Sequence, residues 1–486
     1  MAGPRSPYPG LVMMALVPAL LLGGCWRFAD SRAPAGVVLG ADSATATEPV
    51  GDSTPPLKTP ILSVRRSPAV LARDVNLAVF TADATTFLPA IDNTSCVALS
   101  VDGQAVASRN ADKALRPASN VKVITASVAL QVLGPDFTFA TEVRGTLQSG
   151  TIRGDFYLVG GGDPLLTSAW WHGSSPKLPP FNVTPIEDLV ANIKAAGVTR
   201  IDGSVVGDAG RYDDEWYAPT WAKDVRFVEG GPISALLAND SRESNTTSSN
   251  DPVIGAAKVL TQALRDAGVA VSGSPRRGTA PSGRPVVASV TSKPLAAVLQ
   301  EMLTTSDNNT AEMLLKEIGL KAKGKGSREA GLAAVNEALR SWGIPADGVT
   351  LVDGSGLSDD NRLTCNALLK VLQHDSITSA VGRGMATAGQ AGATLADAFV
   401  GTKLEGRLRG KTGTLYNYND GTGGKPGAKA LSGWVPVDGG GAIEFVMLLN
   451  GPQIAEKTSY RPIWDAFAKV LLSYPGGPSA GALGLR

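Results

Sequence analysis

A serine and a lysine three residues apart, in Ser119-Asn120-Val121-Lys122, stand at the start of a predicted helix. Positions i and i+3 share a helix face, so the amine reaches the hydroxyl one turn away. Desolvation lowers a lysine's pKa and lets it act as a base without any histidine. The helix N-terminus adds free backbone N–H groups and the positive end of a dipole near the same oxygen. That is the chemistry of an activated serine nucleophile. The same spacing recurs at Ser174 and Lys177, where Pro176 and the surrounding Gly, Ser and Pro preclude a helix. Taken alone, the Ser119 copy reads as readily as an N-cap serine beside a solvated lysine.

Two further groupings could complete such a site. Ser306-Asp307-Asn308 puts a hydroxyl and an amide two residues apart at a helix boundary, one to relay a proton and one to hold a substrate carbonyl; its plain alternative is a helix cap. Lys411-Thr412-Gly413-Thr414 precedes two apolar strands and combines a cation, two hydroxyls and a Gly that permits close approach. These suit an extended peptide with a terminal carboxylate, the alternative being a strand end with a surface lysine. Histidine is scarce: His172 lies in a loop-like stretch and His374 on a predicted helix, and neither has a catalytic or ligand motif.

The elements that must hold these residues are legible from periodicity. A strand over 96–106 turns at Asp102-Gly103, and a helix over 119–133 stops at Gly134-Pro135. From 137 to about 290 short strands are punctuated by Gly and Pro, with helices over 185–196 and 252–267. Helices return over 294–318, 328–342 and 366–374, followed by strands over 430–437 and 442–449 and a last helix over 462–472. An early strand pair and a late strand set separated by helices imply one sheet joining both ends of an α/β or α+β body. The middle is looped out as an insertion.

Composition bounds the class. The 486 residues carry 45 Lys+Arg against 44 Asp+Glu, so the basic excess of a nucleic-acid binder is missing, and 43% hydrophobic residues mark a globular chain. The N-terminus holds Arg5 and then an apolar run over 11–22, too short to span a bilayer, which reads as an export signal over 1–24. Leu22-Gly23-Gly24-Cys25 resembles a bacterial lipoprotein processing site, with Cys25 as the acylated residue. An ordinary cleaved signal or an uncleaved anchor is the alternative. An Ala/Pro/Ser/Thr-rich stretch over 25–75 is expected to be a disordered tether. In an oxidising compartment the remaining even pair, Cys96 and Cys365, is expected to form a disulfide, with two free buried thiols as the alternative.

Taken in order, the three motifs are the set found in serine β-lactamases and penicillin-binding proteins. The chain resembles the D-alanyl-D-alanine carboxypeptidase/endopeptidase family of low-molecular-mass penicillin-binding proteins, the penicillin-binding protein 4 type. Gly160-Gly161-Gly162-Asp163-Pro164, Asp353-Gly354-Ser355-Gly356-Leu357-Ser358 and Leu431-Ser432-Gly433-Trp434 look like that family's supporting segments. The resemblance implies a penicillin-binding-protein/serine β-lactamase-like transpeptidase fold, an antiparallel sheet with helices. The catalytic domain would be discontinuous over 76–136 and 291–475, with a mostly β inserted domain over 137–290.

It also implies roles. Ser119 would attack the peptide bond between two D-alanines of a peptidoglycan stem and form an acyl-enzyme, with Lys122 as base. Ser306 would pass the proton to the leaving amine, Lys411 would hold the local charge, and Asn308 would contact the donor peptide. Thr412, Gly413 and Thr414 would bind the terminal carboxylate, and the N–H groups of Ser119 and Thr414 would form an oxyanion hole. β-Lactams would trap the same serine, and no metal or organic cofactor is implied. The enzyme would act in the cell envelope, periplasmic or on the outer face of the cytoplasmic membrane, touching the membrane only through an N-terminal lipid or signal anchor.

Asp224, in Trp-Ala-Lys-Asp, looks like the family's acidic residue that meets the stem's amine. One departure stands out. Members that read the free carboxyl end of diaminopimelate often place Arg directly after Gly-Leu-Ser, where this chain has Asp359, with Arg362 three residues further on. Amidated or different stems are therefore expected. A serine β-lactamase or esterase on the same body, and a non-catalytic cell-wall-binding lipoprotein, remain as alternatives. The complete set Ser119, Lys122, Ser306, Asn308 and Lys411 argues against the last.

Overall fold

The computed structural model of the chain describes residues 67–173, 175–416, 427–438 and 441–483. The expected signal over 1–24, Cys25, most of the tether and Ser174 lie outside the described residues. Among the described residues no helix is long and apolar enough to cross a membrane.

Helix α1 (Ser67–Phe87) leads into the hairpin of β1 (Cys96–Val101) and β2 (Gln104–Arg109), which turns at Asp102 and Gly103. Because α1 starts at Ser67, the tether expected over 25–75 is shorter than composition implied. Ala72, within the stretch expected to be tether, is buried, as are Leu77, Phe80, Ala84 and Phe87 beyond it, so the helix has a core-facing side. Helix α2 (Val121–Leu133) follows a 3₁₀ turn over Ala118–Asn120. Nine of its residues, from Val121 to Ala129, are buried, Lys122, Thr125 and Ser127 among them.

The chain then builds β3 (Ala140–Arg144), β4 (Phe156–Val159), α3 (Ile186–Ala195), β5 (Val205–Asp208), α4 (Pro252–Asp266), β6 (Arg276–Arg277) and β7 (Val286–Thr291). These strands form a sheet of order β6-β5-β4-β3-β7, in which β4–β5 and β5–β6 run parallel. The stretch has its own core around Phe156, Leu158, Leu189, Ile193, Val205 and Leu260.

Helices α5 (Leu295–Thr305), α6 (Asn308–Lys323), α7 (Arg328–Ser341) and α8 (Cys365–His374) come next. The stretch expected to be helical over 294–318 is parted at Ser306, which adopts a left-handed φ of 68°, and α6 restarts with the Asp307 carboxylate accepting the Thr310 N–H, at the helix boundary expected for Ser306-Asp307-Asn308. Ser and Asp compete with the helix for backbone hydrogen bonds, which periodicity does not register. The last strands are β8 (Ala386–Thr387), β9 (Arg409–Leu415), β10 (Gly427–Pro436) and β11 (Ala442–Gly451), and helix α9 (Lys457–Leu472) closes the described fold. Helix α9 starts five residues before Pro462, which sits inside it.

The main sheet has the order β8-β9-β10-β11-β1-β2, with every pairing antiparallel. Strand side chains alternate between its faces. Val97, Leu99, Ile443, Phe445, Met447 and Leu449 pack with residues of α1 and α9, whereas Cys96, Ala98, Val446 and Leu448 pack with residues of α2 and α5 to α8. The sheet is therefore covered by helices on both faces. Cys96 on β1 and Cys365 at the start of α8 are joined as a disulfide on the second of these faces.

Candidate active site

Three elements converge on one cleft. Ser119 sits in the 3₁₀ turn ahead of α2, half-buried, after a left-handed Ala118 (φ 48°). One turn on, Lys122 is fully buried. Its Nζ lies 3.1 Å from Ser119 Oγ, 2.6 Å from Asn308 Oδ1 and 2.7 Å from the Ser355 carbonyl oxygen. Burial pushes this lysine down from 10.5 to about 8, against the pull of Asp307, Asp353, Glu312 and Glu229. The neutral amine has two N–H bonds and one lone pair. Two of its three neighbours, the amide and carbonyl oxygens, can only accept, so they take the N–H bonds and the lone pair is left facing the Ser119 hydroxyl.

Ser306 occupies the break between α5 and α6, and its left-handed backbone turns Oγ to 2.7 Å from Lys411 Nζ. Lys411 also donates to the Thr412 carbonyl at 2.8 Å. Burial, reinforced by the charges of Lys122 and Lys429, holds Lys411 well below the ordinary lysine range. The two lysines thus each serve one serine hydroxyl. Asn308 spends its amide inside the protein: Oδ1 accepts from Lys122, and Nδ2 donates to the Glu229 carbonyl at 2.6 Å. Expected to hold a substrate carbonyl, the Asn308 amide is in this arrangement engaged with Lys122 and the Glu229 carbonyl.

Strand β9 supplies an open edge. Its partner β8 covers only Arg409 and Gly410, and the Ala388 N–H donates to the Leu408 carbonyl at 2.9 Å. Backbone groups alternate along a strand, so those of Thr412 and Thr414 point to that same edge where no described strand covers them. Gly413 lets β9 press against the turn that carries Ser119: a Cβ there would meet the Pro117 oxygen at 2.9 Å and Ala118 Cβ at 3.0 Å. The cleft, about 480 Å³, is lined by Ser119, Ser306, Asn308, Thr412, Gly413 and Thr414, together with Trp221, Glu229, Leu357, Asp359 and Tyr416.

Asp224 is exposed and outside this lining, although its neighbours Ala222 and Val225 belong to it; Glu229 is the acidic residue of that segment that faces the cleft. Asp359 does line the cleft and pairs with buried Arg116 at 2.8 Å. Arg362 is turned away, donating to the Asp359 and Asn361 carbonyls at 2.7 and 2.8 Å. His374 stacks on Trp342 at 4.1 Å between centroids, and His172 is exposed.

Motif reading missed Glu312 and Glu229, whereas Asp353 belongs to a segment already expected to support the site. Glu312 Oε1 accepts the N–H groups of Gly354 and Ser355 at 2.9 and 2.8 Å. Asp353 accepts from Gly356, Ser358, Asn361 and Trp221, all within 2.7 to 2.8 Å. These two carboxylates hold the loop that carries the Ser355 carbonyl. The spacing of Asn308 and Glu312, four residues apart on one helix face, was the available signal for Glu312; Glu229, beside Gly230-Gly231-Pro232, offered none.

A buried Ser-Lys pair, a second Ser-Lys pair and an open strand edge, at one end of an antiparallel sheet covered by helices, define an active-serine hydrolase of the penicillin-binding class. The sequence model of the D-Ala-D-Ala carboxypeptidase 3 (S13) family matches residues 81–250 and 236–471; the chain belongs to this family and is a serine-type D-Ala-D-Ala carboxypeptidase. A D-alanyl-D-alanine carboxypeptidase of Actinomadura sp. (strain R39) is 29% identical over 463 residues, covering 77% of this chain and 80% of that one. The fold is shared with penicillin-binding protein 4 (dacB) from Haemophilus influenzae, at a TM-score of 0.64 and 20% identity, covering 80% of this chain and 98% of that one. A predatory peptidoglycan endopeptidase from Bdellovibrio bacteriovorus has a TM-score of 0.53 at 18% identity, covering 79% of this chain and 93% of that one.

Proposed function

We propose that Ser119 is the nucleophile that cleaves the terminal D-alanine from a peptidoglycan stem peptide, with Lys122 as its base. The observation that carries this reading is the set of three partners around Lys122 Nζ, which leaves the lone pair of a neutral amine for the Ser119 proton alone. The substrate lies along β9 with its terminal carboxylate at Thr412 and Thr414, and the N–H groups of Ser119 and Thr414 receive the developing oxyanion. Ser306, held by Lys411, returns a proton to the leaving amine. The acyl-enzyme is then hydrolysed by water, and β-lactams acylate the same oxygen. Asp359 in place of an arginine favours stems whose diaminopimelate carboxyl is amidated or absent.

Endopeptidase cleavage of cross-links is a second activity of the same site. Ser306 faces the leaving group, and a further cavity of about 200 Å³ shares Ser306, Asn308 and Glu229 with the cleft. It gives room for a leaving group larger than one D-alanine. The domain division follows the site: the catalytic part joins residues on both sides of the 137–290 insertion. Action in the envelope follows from the substrate, and acylation of Cys25 would tether the enzyme there.

Intact-mass analysis after a fluorescent penicillin, with Ser119→Ala alongside, tests the reading. A stable adduct on the wild type alone is expected. An adduct on both proteins, or penicillin consumed with no adduct, would overturn it, the second result in favour of a β-lactamase. Digestion of cross-linked muropeptide dimers, read by mass, decides the endopeptidase activity.

A further inference from the structure

Lys429 is a second cation close to the candidate carboxylate site, and neither the motifs nor the mechanism above uses it. It lies on β10 directly opposite Thr414 of β9, so the two side chains share a face of the sheet. Its Nζ donates to Thr414 Oγ1 at 2.8 Å. The ammonium is seated 4.4 Å from the centroid of the Tyr460 ring and 5.3 Å from that of Trp464, both on α9. Those rings contact each other edge to face at 4.7 Å, which fixes the seat.

The charges around it are otherwise engaged. Asp397 pairs with Arg461 at 2.6 Å and also with Lys457, and among the described residues Lys429 has no carboxylate partner of its own. A half-buried lysine without a counter-ion carries a desolvation cost that a ligand's charge would offset. Aromatic faces retain its charge in part.

The hydrogen-bond inventory sets what Lys429 does to Thr414. A hydroxyl has one donor and two acceptor positions. An ammonium can only donate, so it occupies one acceptor position of Oγ1 and cannot receive the hydroxyl proton. The Thr414 O–H is left to point elsewhere, and Thr414 lines the cleft.

We propose that Lys429 is a specificity-determining positioning residue: seated on Tyr460 and Trp464, it fixes the Thr414 hydroxyl as a donor toward the cleft and places a positive charge behind it, selecting peptides that end in a free carboxylate. This rests on the reading that Thr414 meets the terminal carboxylate. A C-terminal amide presents an oxygen of the same shape but no charge, so it marks the difference between the two.

Burial, with Arg461 and Lys457 adding repulsion and Asp397 opposing them, pushes Lys429 down to about 8. Above that pH the neutral amine can accept the Thr414 proton and its charge is gone. Lys122 titrates in the same range, but its effect is common to both substrates and cancels in their ratio.

The test is kcat/KM for an acylated D-Ala-D-Ala peptide and for its C-terminal amide, on the wild type, Lys429→Met, Lys429→Arg and Thr414→Val. In Lys429→Met the carboxylate substrate should lose about ten-fold or more, mainly through KM, the scale of one hydrogen bond to a charged group, while the amide changes less than about two-fold. Lys429→Arg should recover much of the preference. On the wild type alone the carboxylate-to-amide ratio should fall as pH rises through about 8. An equal loss on both substrates in Lys429→Met, or a wild-type ratio flat with pH, overturns the proposal. If Thr414→Val removes the preference and Lys429→Met does not, the role of Lys429 fails while the carboxylate site stands. If Thr414→Val leaves the preference intact, the reading of Thr414 fails and the proposal with it.

Discussion

Lys122 and Glu312 do not touch, yet one residue joins them: Ser355 gives its carbonyl to Lys122 Nζ at 2.7 Å and its N–H to Glu312 Oε1 at 2.8 Å. The Lys122 amine, the proposed base, is therefore aligned by a buried carboxylate acting through a peptide unit. Arg328 donates to the other oxygen of Glu312 at 3.2 Å and reaches Glu215, which belongs to the inserted stretch. Burial and the neighbouring Asp353 raise the Glu312 carboxyl, and Arg328 opposes them.

Glu312→Gln removes the charge but keeps the shape. It leaves Arg328 without its buried partner, a change of the kind that destabilises by about 3 kcal/mol. Penicillin acylation of Ser119 should slow by more than ten-fold as the Ser355 carbonyl drifts, and its acid limb should move to lower pH because one charge favouring protonated Lys122 is gone. Urea melts and acylation rates across pH measure both. An acid limb that moves upward would refute the link.

The wild-type acylation rate should itself report the base. Only neutral Lys122 can take the Ser119 proton, so the rate should rise about ten-fold per pH unit below about 8 and level off above it. Lys122→Arg, never neutral in this range, should be inactive throughout while still folded. A pH-independent rate between pH 5 and 9, read by stopped-flow with a chromogenic cephalosporin, would exclude Lys122 as the base.

Gly356 allows the Ser355 loop to lie against the turn of Ala118 and Ser119. Its φ is +81°, and a Cβ there would stand 1.9 Å from the Ala118 oxygen and 3.1 Å from the Ser119 nitrogen. Gly356→Ala should cost about 2–3 kcal/mol and, by displacing Ser119, about a hundred-fold in acylation. Thermal melting together with acylation kinetics decides it, and wild-type values for both would show that the loop is not pinned there.

The Cys96–Cys365 disulfide joins residues 269 apart in sequence, and both are wholly buried. Closing so long a loop constrains the unfolded chain, so Cys96→Ala with Cys365→Ala should lose about 2–4 kcal/mol. Equilibrium urea unfolding of the two proteins compares them; an unchanged midpoint would mean the bond contributes nothing.

Local pattern carried much of this architecture. The hairpin turn at Asp102-Gly103, the apolar period of α2 and the strands around 430 and 446 are properties of short windows, and so were legible. The three motifs were legible as a set, because each lies on the element its chemistry needs. What escaped depends on distant partners. Glu312 matters because of a loop more than forty residues downstream. Asp224 was placed by likeness of a short segment, whereas cleft lining depends on how 221–229 folds over α6. Only the first part of α1, residues 67–75, fell within the expected tether, and the helix's core-facing side emerges only against β1 and α9.

Strand order governs when this enzyme comes into being. The hairpin of β1 and β2, made early, finds its neighbour only in β11, more than three hundred residues later, and Lys411 precedes that strand by about one short domain segment. A nascent chain that already displays Ser119 and Lys122 therefore lacks the sheet on which Thr412 and Thr414 are held. A fragment that ends before β11 would lack the strand that joins the early hairpin to β10 and β9, so the strands that carry the two halves of the cleft meet only once β11 is in place.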